Sequence, residues 1–332
     1  MFGLFRTVLA LAVVAEHLGA AHWTGPYAVF GFYVLSGYLM TMILHQTYGY
    51  SLRGFGRYAL NRWLRIFPIY YVAVAIMVLL VALLGDAFVR DFHPDIGAPR
   101  SVEEVLRNLA LVLSIHTDTR WVAPAWALTV ECVFYLLIGL GASRYWYGTL
   151  AWLAASLAYT VYLVIGDASW SYRYFTVAAA SLPFALGATV FHLKQQQRLG
   201  HPMLHGDLSL TVLLVLLCAN YAFGATGGTE RIMGLHFYAN LVLMALVIVN
   251  LSSRHRLGPI GGALDKRLGD LSYPIYLMHY QAGLMLAALT PLARGEWALA
   301  FAATPLVIVM GLCANRLIEH PINRVRARLR SA

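Results

Sequence analysis

The sequence predicts an all-α protein that crosses a membrane about ten times and keeps both termini in the cytoplasm. Of its 332 residues, 60% are hydrophobic and only 12% are charged, whereas a soluble protein carries roughly a quarter charged residues. Apolar stretches long enough to cross about 30 Å of hydrocarbon recur along the whole chain. The charged loops between these stretches are also strongly asymmetric, which indicates an orientation.

Ten segments have the length and composition of transmembrane helices. They lie at 5–22, 26–45, 63–84, 125–141, 147–165, 174–191, 207–223, 234–251, 272–290 and 297–316. Another apolar stretch, 105–115, is too short to cross and contains Arg107 and Asn108. We therefore expect 86–124 to be an outer loop with one interfacial or re-entrant segment.

The distribution of basic residues supports this count. With ten spans and cytoplasmic termini, 17 of the 24 lysines and arginines lie on the cytoplasmic side, as the positive-inside rule requires. If 105–115 crossed the membrane, every later loop would change sides and the bias would largely vanish. Insertion therefore explains the net charge of +9, and no nucleic-acid partner is expected.

The domain organisation is simple. We expect one transmembrane domain at 1–320 and a solvated basic cytoplasmic tail at 321–332. Cys132, Cys218 and Cys313 all fall in predicted spans, so neither a disulfide framework nor a metal site is predicted.

The first span carries ionisable residues, which are costly at membrane depth and usually mark function. Arg6 and His17 are eleven residues apart, so they share one helix face about 16 Å apart along the axis. Glu16 points roughly 100° away from His17 and needs a different neighbour. In the alternative interpretation, Arg6 anchors the helix at the membrane surface, and His17 makes a hydrogen bond in a contact between helices.

Other spans add candidates for the same site. Arg62 and Arg65 lie one turn apart at the cytoplasmic end of the third span and fit either an anchor or, with Arg6, a phosphate clamp. Glu131 lies near mid-membrane, where a carboxylate needs a partner, and we expect that partner to be His17. His279 has two alternative interpretations: it assists catalysis, or it packs against a neighbouring helix.

Collinear motifs in these spans resemble the acyltransferase-3 family over nearly the whole chain. The matching residues are Arg6 and His17, Ser36 and Gly37 in GFYVLSGYLM, Arg62 and Arg65 followed by Pro68 and Tyr70, Glu131, then Ser272, Tyr273, Tyr276 and His279, and finally Glu319 and Pro321. Ala127 stands where the family has a serine four residues before the glutamate. The C-terminal hydrolase-like domain of some members has no counterpart in these 332 residues, so a stand-alone member is expected.

The resemblance implies an enzyme that moves an acetyl or other short acyl group from cytoplasmic acyl-CoA to a hydroxyl. The implied acceptor is an extracytoplasmic glycan or glycolipid, such as a surface polysaccharide or its precursor, and the implied location is the bacterial inner membrane. Acetyl-CoA would be a co-substrate, with no bound cofactor and no metal. The oligomeric state is not predicted.

The resemblance also suggests roles for particular residues. His17 would be the general base or an acylated relay, and Glu131 would fix its tautomer. The donor-binding residues would be Arg6, Arg62, Arg65, Ser36, Tyr70 and His279. The acceptor side would hold Glu16, Trp121, Trp126 and His116. Ser36 beside Gly37 is also typical of a close helix contact.

Three other functions fit parts of the sequence. A proton-coupled transporter or flippase of a lipid-linked or anionic solute would use Glu131 and His17 as a relay. An intramembrane hydrolase would use Ser36 and a histidine as a catalytic dyad. The third alternative is an acyltransferase that modifies a small metabolite instead of a glycan. Dependence on acyl-CoA separates the acyltransferases from the other two classes.

Overall fold

The chain is all-helical in a computed structural model that describes residues 2–113, 118–199, 206–253 and 259–331. The α-helices are α1 Gly3–Leu18, α2 Thr24–Ile43, α3 Leu52–Leu84, α4 Asp86–Phe92, α5 Val102–Ala110, α6 Trp126–Gly139, α7 Trp146–Ile165, α8 Trp170–Phe175, α9 Ser181–Gln195, α10 Asp207–Thr226, α11 Gly228–Ile232, α12 Leu235–Ser253, α13 Pro259–Leu289, α14 Trp297–Ala314 and α15 His320–Ser331. A 3₁₀ turn, Ala123–Ala125, precedes α6, and π-helical turns Leu44–Tyr48 and Asn315–Glu319 follow α2 and α14. The described residues contain no β-strand, only an isolated bridge between Ile96 and Arg120.

The predicted multi-pass membrane protein is confirmed, and each of the ten predicted segments contains a helix. Among the described residues, six helical segments are long and apolar enough to cross a membrane. They are Thr24–Tyr48, Leu52–Leu84, Trp146–Ile165, Asp207–Thr226, Gly228–Ser253 and Trp297–Arg330. Helices α1, α6 and α9 are shorter, with 16, 14 and 15 residues, and α13 carries polar and charged residues along its length.

The first of two compact units comprises Met1–Phe2, Pro26–Tyr58 and Val133–Lys266. Within it α7 packs against α9, and α10 packs against α12. Helices α2 and α9 meet backbone to backbone at Gly37 and Gly187. A Cβ added to Gly37 would overlap the carbonyl oxygen of Phe184, and one added to Gly187 would overlap that of Val34. Small residues allow helices to approach this closely in membranes.

The second unit comprises Gly3–Gly25, Ala59–Cys132 and Arg267–Ala332. Hydroxyl groups on α13 hold it to its neighbours: Tyr273 donates to the carbonyl of Ile66 on α3, and Tyr276 donates to that of Pro124 before α6, each at 2.8 Å. The Gln281 amide donates to the carbonyl of Ala73 at 3.1 Å. These bonds satisfy buried donors and fix the rotation of α13.

The segment 86–124 of this unit is held together by two carboxylates. Asp86 at the start of α4 accepts from Arg90 at 2.5 Å and from the backbone N–H of Ala98 at 2.7 Å. Asp95 pairs with the buried Arg120 at 2.7 Å. Helix α5 has nine residues, so the stretch predicted not to cross is indeed too short to span the bilayer.

Most of the predicted basic tail is exposed or partly exposed in the structure, but one of its arginines is buried. Helix α15 continues to Ser331, and Arg326 within it is buried, with 5% of its surface exposed. Its guanidinium contacts Asn323 at 2.7 Å and Glu319 at 3.4 Å. Side chains on the preceding turns of the same helical stretch therefore hold Arg326 in place.

The glycine contact between α2 and α9 gives a stability prediction. Gly37→Ala should destabilise the protein by about 1–3 kcal/mol, because the added methyl group meets fixed backbone. Gly148→Ala, within α7 and with open space around its Cβ position, is the matched control and should be neutral or stabilising by up to about 1 kcal/mol. Thermal unfolding in detergent measures both, and equal melting temperatures would contradict the close approach.

Candidate active site

His17 is held by a second histidine in the second unit. Its Nδ1 lies 2.8 Å from Nε2 of His279, and Nδ1 of His279 lies 2.8 Å from the carbonyl oxygen of Tyr276. A carbonyl only accepts, so Nδ1 of His279 carries a proton and its Nε2, in the neutral ring, accepts. His17 then donates from Nδ1. The chain of bonds leaves the lone pair of His17 on Nε2.

Ring packing fixes the plane of the His17 imidazole as well. It stacks on His279 with centroids 5.0 Å apart and on Tyr280 with centroids 5.1 Å apart, at interplanar angles of 25° and 22°. Both partners lie on α13, which Tyr273, Tyr276 and Gln281 anchor. The orientation of a residue on α1 therefore depends on the rotation of α13.

This arrangement corrects the expectation that Glu131 pairs with His17. His279 occupies the ring nitrogen that Glu131 was expected to hold. Glu131, on α6, instead lies near Tyr273 and Tyr276 and acts on them electrostatically. Helix spacing predicts the depth of a side chain but does not decide between two candidate partners at the same depth. A catalytic role for Glu131 stays a prediction.

A cavity of about 820 Å³ opens beside His17. It is lined by Glu16, His17, Gly19, His22, Phe88, Asp91, Phe92, His93, Tyr280, Ala287, Leu292, Ala293, Arg294 and Gly295. These residues come from α1, α4, α13 and the turn that follows α13. The volume is within the range of small-molecule binding sites.

Glu16 has the separate neighbour that its direction requires. Its carboxylate accepts a hydrogen bond from the backbone N–H of Gly25, the second residue of α2. Helix N-termini leave N–H groups without intrahelical partners, and a carboxylate is favourable there. Glu16 therefore anchors the turn between α1 and α2 while it also lines the cavity.

The predicted cluster of arginines also assembles in this unit. Arg65 forms an ion pair with Glu319, and its guanidinium lies 5.8 Å from the Tyr273 ring centroid. Arg6, Arg62 and Arg326 are all close enough to act on Arg65 electrostatically. Guanidinium groups therefore gather here near the carboxylates of Glu319 and Asp270, and clustered guanidinium groups are a common way to bind an anion.

Asn61 connects the cluster to the C-terminal helix. Its amide oxygen accepts from Arg62 at 2.8 Å, and its amide nitrogen donates to the carbonyl of Arg326 at 3.3 Å. Sequence reasoning missed Asn61 and Arg326 as parts of this cluster. The closing Glu319 motif was the available signal, since a buried carboxylate requires cationic partners.

The remaining predicted residues lie elsewhere. Ser36 belongs to the first unit, where its hydroxyl is 3.3 Å from that of Tyr135. Tyr70 donates to the carbonyl of Asn108 at 2.6 Å, and the backbone N–H of Trp121 donates to the Asn108 side chain at 3.1 Å. Trp126 is buried at the start of α6.

Neither tryptophan belongs to the lining of the cavity, so the acceptor role assigned to them has no support from its geometry. His116, the fourth residue predicted for the acceptor side, lies outside the described residues.

Apolar helices with a buried histidine pair and an arginine cluster define a multi-pass membrane protein with an internal polar site. The family model of the acyltransferase domain named acyltransferase-3 matches residues 2–316. The chain belongs to the acyltransferase-3 family. No curated protein and no solved structure matches it significantly.

Glu319 gives a second stability prediction. Glu319→Leu leaves Arg65 and Arg326 without their shared carboxylate, and losing one partner of a buried ion pair costs about 3–5 kcal/mol. We expect a large fall in melting temperature in detergent. Glu104→Leu, at a partly exposed site on α5 that makes local hydrogen bonds, is the control and should cost far less. Equal losses would contradict a buried ion-pair role for Glu319.

Proposed function

We propose that the protein is a membrane-bound O-acyltransferase. It transfers an acetyl or other short acyl group from cytoplasmic acyl-CoA to a hydroxyl of an extracytoplasmic glycan or glycolipid. The observation that carries the proposal is the hydrogen-bond chain from Tyr276 through His279 to His17, which leaves a lone pair on Nε2 of a cavity-lining imidazole. Membership of the acyltransferase-3 family supports acyl transfer as the reaction.

The proposed membrane topology has ten spans with both termini in the cytoplasm of a bacterial inner membrane. The distribution of basic residues supports it. Four spans, formed by α1, α6, α9 and α13, are then the short or polar helices of the bundle. In a multi-helix protein such helices are tolerated because their polar groups face protein rather than lipid.

The donor binds with its phosphates at Arg6, Arg62 and Arg65 and with its thioester at His17. Guanidinium groups suit phosphates because they form charge-assisted, often bidentate hydrogen bonds. Helix α1 runs without interruption from Gly3 to Leu18, so Arg6 and His17 are about 16 Å apart along its axis. A pantetheine arm of roughly 15–20 Å matches this rise.

In the reaction, Nε2 of His17 takes the proton of the acceptor hydroxyl as its oxygen attacks the thioester carbonyl carbon. The tetrahedral intermediate collapses, the carbon–sulfur bond breaks, and the imidazolium returns the proton to the departing CoA sulfur. Nδ1–H of His17 donates to His279 throughout and so stabilises the imidazolium. An acyl-histidine relay would use the same Nε2 lone pair as a nucleophile.

Thiol release tests the proposed function. Purified protein with acetyl-CoA and an extracted cell-envelope glycan fraction should release CoA thiol, and His17→Ala should lower the rate by about 10²–10⁴-fold. His279→Phe should lower it by at least about tenfold, because His17 loses the acceptor that sets its tautomer. His236→Phe, which removes a histidine–asparagine hydrogen bond in the first unit, is the control.

Full thiol release by His17→Ala would rule out the mechanism. An inactive wild-type protein that binds no acetyl-CoA, but transports a lipid-linked or anionic solute in vesicles, would favour the transporter. Mass spectrometry of the intact protein after brief exposure to acetyl-CoA distinguishes the general base from the relay, since only the relay leaves a labile acetyl group on His17.

Labelling of single cysteines tests the topology. With Cys132, Cys218 and Cys313 replaced by alanine, Arg100→Cys should react in intact cells with a membrane-impermeant maleimide, because the proposal puts 86–124 outside. Arg144→Cys, equally exposed on the surface, should react only after permeabilisation. The reverse pattern would invert the orientation, and labelling of both in intact cells would refute the ten-span count.

A further inference from the structure

A third histidine, His93, lines the same cavity as His17 and lies outside every motif of the sequence. It follows the last residue of α4. Its backbone is fixed from both sides, since its N–H donates to the carbonyl of Val89 and its carbonyl accepts from Ile96, each at 3.0 Å. Its ring meets the Tyr280 ring edge to face, with centroids 4.9 Å apart and an interplanar angle of 79°. His17 packs on the same tyrosine.

The hydrogen bonds of His93 determine which of its nitrogens can donate. The backbone N–H of Asp95 donates to Nδ1 of His93 at 3.2 Å. An N–H group only donates, so Nδ1 holds a lone pair and the proton of the neutral ring is on Nε2. Within the part of the chain that the structure describes, Nε2 of His93 makes no hydrogen bond, although the ring lines the cavity.

The surroundings keep this ring neutral. The pKa of His93 is lowered to about 4, first by burial and then by the positive charge of Arg294, while the carboxylate of Asp95 acts in the opposite direction. A neutral imidazole has one donor and one acceptor. At pH 7 the neutral ring of His93 therefore offers Nε2–H, a hydrogen-bond donor, to the cavity.

His17 and His93 thus present opposite hydrogen-bonding groups to one cavity. A hydroxyl that is about to be acylated needs both: an acceptor for its proton and a donor for a lone pair of its oxygen. We propose that the cavity is the acceptor site and that it binds the reacting hydroxyl of a sugar ring between Nε2 of His17 and Nε2–H of His93. This inference rests on the proposed function.

The hydrogen-bond acceptor on His17 and the donor on His93 also determine which class of acceptor molecule the cavity suits. A protonated amine has three donors and no lone pair, so it cannot accept the hydrogen bond from His93. The carboxylates of Glu16 and Asp91 line the cavity and accept from neighbouring hydroxyls of a polyol. Phe88, 39% exposed, offers an apolar face to the carbon–hydrogen side of a pyranose ring. Between His17 and His93 the site is therefore suited to a hydroxyl of a pyranose rather than to a protonated amino group.

The test measures thiol release from acetyl-CoA with a panel of methyl pyranosides and their 2-amino-2-deoxy counterparts. At least one hydroxyl-only pyranoside should stimulate release, and the matching amino sugar should show no transfer to nitrogen. His93→Leu should lower kcat/KM for the pyranoside by roughly three- to tenfold, the range of one neutral hydrogen bond. The loss should fall on the KM of the pyranoside rather than on that of acetyl-CoA.

Two further variants separate binding from a structural role. His93→Gln keeps a side-chain N–H donor and should recover part of the affinity. His236→Leu removes a histidine hydrogen bond outside the cavity and should leave the pyranoside KM unchanged. Nitrogen-15 NMR of labelled histidines should show His93 as the Nε2–H tautomer at pH 7.

Each contrary result has a distinct meaning. Wild-type protein that neither binds acetyl-CoA nor releases its thiol would refute the proposed function itself. Active wild-type protein that no pyranoside stimulates, or that acetylates the amino group, would overturn the acceptor class. An unchanged pyranoside KM in His93→Leu, or a KM for acetyl-CoA raised as much as that for the pyranoside, would overturn the role of His93.

Discussion

The hydrogen bond between His17 and His279 is the interaction on which the site depends. Inside an apolar bundle a polar group without a partner is costly, so each buried nitrogen must be satisfied. The carbonyl of Tyr276 satisfies His279, and His279 satisfies one nitrogen of His17. The other nitrogen of His17 is left to the cavity, with its lone pair fixed in position. In the proposed reaction, a base oriented in this way would need no rearrangement when a hydroxyl arrives.

Helix α1 carries His17 near one end and Arg6 near the other. At the Arg6 end the groups that gather are positively charged. Arg6, Arg62, Arg65 and Arg326 cluster around the carboxylate of Glu319. Asp270 also acts on Arg65 electrostatically, and clustered guanidinium groups suit an anionic ligand. Because α1 is a continuous helix between Arg6 and His17, it would set the distance between the phosphates and the base in the proposed reaction.

Much of this arrangement is predictable from sequence because it depends on local rules. Apolar runs predict the helices, and the rise of one helix predicts the separation of Arg6 and His17. The direction of Glu16 correctly indicates a neighbour other than His17. Local rules do not predict which residue on another helix a side chain will contact. Depth in the membrane suggests Glu131 as the partner of His17, whereas the packed rotation of α13 brings His279 to it.

The environment of a residue outside a periodic pattern is still harder to predict from sequence. Arg326 sits in a run of arginines that is typical of a solvated tail, and its burial follows from contacts with Asn323 and Glu319 that no composition predicts. His93 is one of several polar residues in the segment 86–124. Its tautomer depends on the single backbone N–H of Asp95, which becomes relevant only once the turn has formed.

The contrast between His17 and His93 bears on how such a site changes its specificity. His17 lies on a helix, and aromatic stacking and the histidine pair hold its ring in place. His93 lies on a turn held by the links of Asp86 and of Arg120 with Asp95. Such segments tolerate substitution far better than packed helices. In the proposed enzyme, changes in this turn would alter which acceptor oxygen is held, while the proposed base and donor-binding arginines remain in place.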